Sequence, residues 1–242
     1  MMTIRNTMRA RQMLEYLSNL IVNYNYENAK QFHNIPLPNN YDSKYIWSHN
    51  DNGYTISHEY TSCYIDKSNG FVYKLSCLYS EDDFDKHKLL YRLTEKYDYR
   101  IEIPRHSEFV LINNIRYLYT VVERPNNQVG IDYHLDIVND RVNNDYFIEF
   151  IDSSVPLLKA LFEVDRVFKT GLPSVFILPT KRLRDDKGYF YFDFKKWHHP
   201  KNKYITDNTN NLLYQINYCN NNGIKLDTEY LKQHIENTWT IE

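Results

Sequence analysis

Between positions 6 and 30 the apolar residues Met13, Leu14, Leu17, Leu20, Ile21 and Tyr24 recur at steps of three and four, which predicts an amphipathic helix covering a core face. A loop follows from His33 to Asp42, punctuated by Pro36, Pro38 and Asn39-Asn40. From Lys44 to Cys77 the texture changes to short β-rich runs. Asn52-Gly53 and Asn69-Gly70 are hairpin-turn signals, and they predict antiparallel strands at Tyr54–Ser57, Ser62–Asp66 and Phe71–Cys77. The stretch Glu81–Tyr97 lacks Gly and Pro, spaces Phe84, Leu89, Leu90 and Leu93 along one face, and opens with Asp82 and Asp83, all of which predict a helix. Two more strands are expected at Phe109–Ile112 and Tyr117–Glu123, joined at Asn113-Asn114.

The second half reads differently. A short helix is expected over 133–144 and a longer one over Phe150–Lys169, stopped by Gly171-Leu172-Pro173. A hairpin of Val175–Leu178 with Tyr189–Phe194 is expected around Asp185-Asp186-Lys187-Gly188. Helices at Asn208–Asn220 and Asp227–Asn237 close the chain. Strands first and helices later predict an α+β protein. The expected divisions are an N-terminal helix and loop (1–43), a sheet-rich lobe (44–125) and a helical lobe with an inserted hairpin (126–242), hinged near Arg124 to Val129.

Composition narrows the function classes. Among 242 residues there are 23 Tyr and 12 Phe, so the core must be strongly aromatic, and disorder is excluded as the general state. Heavy use of Asn, Tyr, Ile and Lys fits an AT-rich genome, as many viruses and phages have. A net charge of −2 provides no global attraction for nucleic acid. Cys63, Cys77 and Cys219 are odd in number and widely spaced, which fits a reduced compartment better than a disulfide framework or a zinc site. No apolar run approaches the length of a membrane span, and the N-terminus does not read as a signal peptide. The expected location is cytoplasmic, or within a particle assembled there.

The element order resembles the protein-kinase-like superfamily, particularly its aminoglycoside and choline kinase branch, over roughly Asn52 to Trp197. The resemblance implies a two-lobed α+β fold, antiparallel sheet first. In that family a Lys on the third strand contacts nucleotide phosphates; Phe71-Val72-Tyr73-Lys74-Leu75 places Lys74 in that role. Asp83, Asp85 or Glu95 is the expected acidic partner from the following helix. Val121-Val122-Glu123-Arg124-Pro125 resembles the adenine-binding hinge, which brings Glu123 into the nucleotide site. In Asp185–Trp197, Asp193-Phe194 fills the places of the metal-binding Asp-Phe, which implies Asp193 as a Mg²⁺ ligand and ATP with Mg²⁺ as cofactors.

Two departures bear on activity. The turn Ser57–Ser62 has no Gly, and its Glu59 would repel phosphate. The stretch 171–181, where the catalytic Asp and the metal-binding Asn belong, contains no Asp, Asn, Glu or His. Without a carboxylate the acceptor hydroxyl has no positioned base. The sequence therefore points to a scaffold with a degraded catalytic loop and no catalytic residues of its own, acting as a binding, regulatory or virus-associated accessory protein. An active Mg·ATP-dependent kinase is one alternative; a viral or phage assembly protein with Tyr-rich subunit contacts is another.

Two other constellations stand apart. His134 and Asp136 with His198 or His199 have the composition of a two-His, one-carboxylate iron site, with Lys201 or Lys203 to hold an oxoacid. Lys195, Lys196, Trp197, His198, His199, Lys201 and Lys203 form a basic, aromatic-containing cluster that could contact nucleic acid, against the plainer reading of a solvated loop. The partner expected first is another protein, or further subunits.

Overall fold

The computed structural model describes residues 4–25, 30–31, 44–58, 60–77, 81–123, 129–131, 141–168, 175–179, 182–191, 195–197 and 204–240. It is α+β, with an antiparallel sheet unit followed by a mainly helical one. One unit comprises residues Met1–Phe84 and Glu102–Asn126; the other comprises Asp85–Ile101 and Asn127–Glu242.

In the first unit, α1 (Ile4–Val22) precedes a seven-stranded antiparallel sheet. Its strands are β1 (Lys30–Gln31), β2 (Lys44–Asn50), β3 (Gly53–His58), β4 (Thr61–Asp66), β5 (Phe71–Ser76), β6 (Pro104–Ile112) and β7 (Ile115–Glu123), in spatial order β1-β2-β3-β4-β5-β7-β6. Helix α1 is shorter than its periodicity predicts. It gives way at Asn23, whose backbone and side-chain amides both return to the Asn19 carbonyl, and the chain re-enters as β1. Strand β2 is an addition to the three strands expected between Lys44 and Cys77.

Turn chemistry sets the register. Asp51-Asn52 connects β2 to β3, pairing Asn50 with Gly53. A Cβ on Gly53 would lie 2.3 Å from the Ile65 carbonyl oxygen, so only glycine lets the strands approach there. Between β4 and β5, the fully buried Asp66 carboxylate accepts hydrogen bonds from Ser68 N (2.9 Å), Ser68 Oγ (2.6 Å), Asn69 Nδ2 (3.1 Å) and Arg9 on α1 (3.0 Å). Asn113 and Asn114 both hold positive φ (49° and 61°) in the β6–β7 turn, the left-handed pair that a tight hairpin requires. Register then puts Tyr64, Tyr73, Leu75, Tyr117, Tyr119 and Val121 in one core with Ala10, Leu17 and Ile21 of α1. The Tyr119 hydroxyl donates to the Ala10 carbonyl at 2.6 Å, which satisfies a phenol that burial would otherwise penalise.

The expected helix Glu81–Tyr97 is two helices, α2 (Glu81–Arg92) and α3 (Thr94–Tyr97). Thr94 Oγ1 donates to the Tyr91 carbonyl, and Asp98 ends α3 in the left-handed region at φ 54°. The long helix α4 runs Asn144–Val167, beginning six positions before the expected Phe150, because Asn143 caps it by accepting from Tyr146 N. Residues 124–128, where the hinge is expected, and most of the 133–144 segment lie outside the described residues.

The inserted hairpin is paired differently from expectation. β10 (Arg182–Asp185) pairs with β11 (Gly188–Tyr191), and β10 also pairs with β8 (Val129–Ile131). β9 (Val175–Ile177) pairs instead with β12 (Lys195–Trp197). The physical reason is the turn: Gly188 at φ 101° closes the chain directly onto Asp185, so the nearest residues pair first. Arg100 clamps that turn, donating to both Asp185 oxygens at 2.5 and 2.7 Å and holding this carboxyl at about 2.

Helices α5 (Tyr204–Asn221) and α6 (Thr228–Thr238) complete the helical unit, α6 capped by Asp227. Its core gathers Phe147, Phe150, Ile151, Leu157, Leu158 and Leu161 of α4 with Leu90, Leu212, Ile216, Leu231 and Ile235. The Trp239 indole N–H donates to the Ile151 carbonyl (3.1 Å), pinning the end of α6 to α4. Among the described residues no helix is long and apolar enough to cross a membrane.

Candidate functional site

Lys74 lies on β5, the last of the five strands that precede α2. Its neighbours Tyr73 and Leu75 turn toward the core beneath α1, so pleating sends Lys74 to the opposite face. The same alternation puts Val72 and its register partner Val122 on that second face, together with Leu118 and, across β4, Cys63 and Ile65. Val72, Val122 and Leu118 are buried, while Cys63 and Ile65 are half-buried. The result is a largely apolar sheet surface on which Lys74 faces Thr120, with Arg116 farther along β7 over the Phe109 ring.

The Lys74 cation is held. Lys74 Nζ donates to both carboxylate oxygens of Glu102 at 2.6 Å, with a quarter of the Lys side chain and 12% of the Glu side chain exposed. A charge-assisted pair this short fixes the ammonium over the sheet. Glu102 belongs to the segment between α3 and β6, not to the helix that was expected to supply the acid. Asp85 is engaged by Lys88 on its own helix at 2.9 Å, and Glu95 is exposed on α3. Sequence spacing favours partners on a neighbouring helix, and only the crossover into β6 brings Glu102 alongside β5.

The connection from β3 to β4 bears directly on phosphate binding. His58 pairs with Thr61, which leaves two residues, positions 59 and 60, for the whole turn. A link this short, without glycine, departs from the glycine-rich loop that covers phosphates in the kinase-like family.

Glu123 ends β7 opposite Phe71, and its exposed carboxylate accepts from Arg105 at 2.7 and 2.9 Å. Val121 and Val122 are laddered to β5 on one side and β6 on the other, so their backbone groups serve the sheet. Asp193 lies outside the described residues, as do His134, Asp136, His198, His199, Lys201 and Lys203. Lys195 and Lys196 occupy β12, so this part of the basic cluster is a paired strand and not a loop. Among the described residues no group of three or more His, Cys, Asp or Glu could hold a metal ion. Cys63, Cys77 and Cys219 are not joined in disulfides, and burial pushes the Cys219 thiol up to about 11.

In the helical unit the structure adds a charged pair that sequence reading missed. Asp165 of α4 has a buried Oδ2 without a hydrogen-bond partner. Burial pushes its carboxyl up to about 7, opposed by the charge of Lys86 on α2, itself only 4% exposed. The signal was available: Asp165 falls four and seven residues after Leu161 and Leu158, and Lys86 four and seven before Leu90 and Leu93. Each interrupts a buried stripe. Arg182, also buried, stacks its guanidinium on the rings of Phe150 (4.4 Å), Tyr189 (4.8 Å) and Tyr146 (5.3 Å).

No family model matches the chain, and no curated protein matches it. Among solved structures, the Neurospora crassa PAN3 pseudokinase is similar at a TM-score of 0.31 and 9% identity, over 97% of this chain and 70% of that one. Among the described elements, α1 and five strands precede α2 and α3; β6, β7 and β8 follow, then α4, four short strands and the last two helices.

Proposed function

We propose that the chain is a kinase-like scaffold, related to the small-molecule kinase branch, whose phosphoryl-transfer chemistry is degraded and which works by binding a protein partner. The observation that carries this is the two-residue turn between β3 and β4. So short a turn without glycine supports the loss of the phosphate-covering loop. The stretch 171–181, without Asp, Asn, Glu or His, supports the same reading from the other half of the chain. An AT-rich composition supports a virus-associated accessory role over a housekeeping one.

One observation favours a second reading, an active Mg·ATP-dependent kinase: the Lys74–Glu102 pair resembles the Lys–Glu ion pair that active members need in place. In that reading Asp193 is the metal ligand. Radiolabelled γ-phosphate release, with thermal melts in Mg·ATP, separates the two. The expected result is turnover at the buffer background for the wild type, Lys74→Ala and Asp193→Ala alike. Turnover above background that both substitutions abolish would establish the kinase and reject the binding scaffold.

A further inference from the structure

Away from the Lys74 sheet face, the helical unit contains a cavity of about 500 Å³ lined by Lys96, Tyr97, Lys159, Phe162, Glu163, Arg166 and Thr240. Its size falls within the range of small-molecule sites. Its floor and walls come from α3 and the last turns of α4. Lys159, Phe162, Glu163 and Arg166 follow the spacing i, i+3, i+4, i+7, so one stripe of α4 faces the opening.

The charge of this lining is unbalanced. Among the described lining residues Glu163 is the one acid, and it is already engaged. It accepts from Lys96 Nζ at 2.5 Å and from the Tyr97 hydroxyl, and these two donors hold its carboxyl below the usual range, ionised at neutral pH. Lys96 therefore offsets Glu163, and its ammonium also lies 4.9 Å from the Tyr97 ring centroid. Lys159 and Arg166 remain as a surplus of two positive charges, both exposed, at either end of the stripe. Seven residues of helix separate them by about 10 Å along the axis. Phe162 lies between them and, with Tyr97, contributes the apolar part of the wall. A single small anion would neutralise one end only. A chain of anionic groups can reach both.

We propose that this cavity is a binding site for a small polyphosphorylated molecule, its terminal phosphates held by Lys159 and Arg166 and its middle lying over Phe162. The Tyr97–Glu163–Lys96 cluster acts as the fixed wall between Lys159 and Arg166. This site is independent of Lys74 and of any nucleotide held on the sheet face.

Inorganic tripolyphosphate is the probe, titrated calorimetrically into the full chain at low and moderate salt. One saturable site is expected, weakening as salt rises. The K159Q/R166Q double variant should bind roughly tenfold more weakly or worse, the order of effect for removing charge-assisted contacts. Because both side chains are exposed, its melting temperature should match the wild type. Glu163→Gln, which raises the surplus charge, should bind more tightly. Lys74→Ala should bind as the wild type does, so failure of the sheet-face reading leaves this one standing. No saturable binding, or affinity unchanged in the double variant, would overturn the assignment.

Discussion

The two units bury their aromatic residues in different proportions of phenol to hydrocarbon. The sheet unit packs tyrosines: Tyr64, Tyr73, Tyr117 and Tyr119 form much of the layer under α1. Each phenol brings a hydroxyl that needs a partner, and α1 helps to supply them. Tyr119 bonds the Ala10 carbonyl, Tyr16 of α1 bonds Thr55 at 3.0 Å, and Arg9 reaches the buried Asp66. The helical unit instead builds its core on Phe147, Phe150 and Ile151 of α4 with several leucines and fewer phenols. Its buried Tyr99, Tyr191 and Trp239 donate to the Leu90, Ser153 and Ile151 carbonyls. Its half-buried Asp165 near the buried Lys86, and the buried, ring-stacked Arg182, are charges without that regularity. The contrast teaches where each unit is vulnerable. The sheet unit depends on directional bonds of modest individual worth, and the helical unit on packing volume and on one poorly solvated carboxyl.

The contrast is sharpened most by Phe147→Ala. Phe147 is 1% exposed, and truncation of such a ring should cost about 3–5 kcal/mol, read from urea or guanidinium denaturation. Next comes Asp165. Its carboxyl, normally near 3.8, is raised to about 7 in the folded chain, so between those values the folded state binds the extra proton. The stability that this group contributes is fully present below the lower value and declines as pH rises through the higher one, by up to about 1.4 kcal/mol per pH unit. Asp165→Asn should remove that slope and make the chain more stable than the wild type above neutral pH; a pH series of melts that leaves the two parallel would dismiss Asp165 as its source. The smallest effect belongs to Tyr119→Phe, which deletes one hydroxyl and should cost about 1 kcal/mol by the same denaturation assay. A loss as large as that of Phe147→Ala would erase the distinction between the two units.

Much of the sheet unit was legible before any coordinates. Asn69-Gly70 and Asn113-Asn114 marked real turns, and strands at 54–57, 62–66 and 71–77 were recovered within a residue or two. Tight turns are encoded by the few residues that tolerate positive φ, so neighbours in sequence become neighbours in the sheet. The candidate site was half legible. Lys74 could be placed on its strand, but Glu102 could not be named as its partner, because it lies 28 positions on and the chain folds through two helices before it returns.

What the amino-acid order determined alone was local: element type, the hairpin turns, the amphipathic faces, and the lack of acid or amide at 171–181. Tertiary structure decided the long-range pairings: Val175–Ile177 with Lys195–Trp197, Lys74 with Glu102, and α3 against α4 around Lys96 and Glu163. The physical reason is one of range. Backbone preference and periodicity act over a few residues, whereas the choice between distant partners depends on which whole arrangement best buries apolar surface and matches charge.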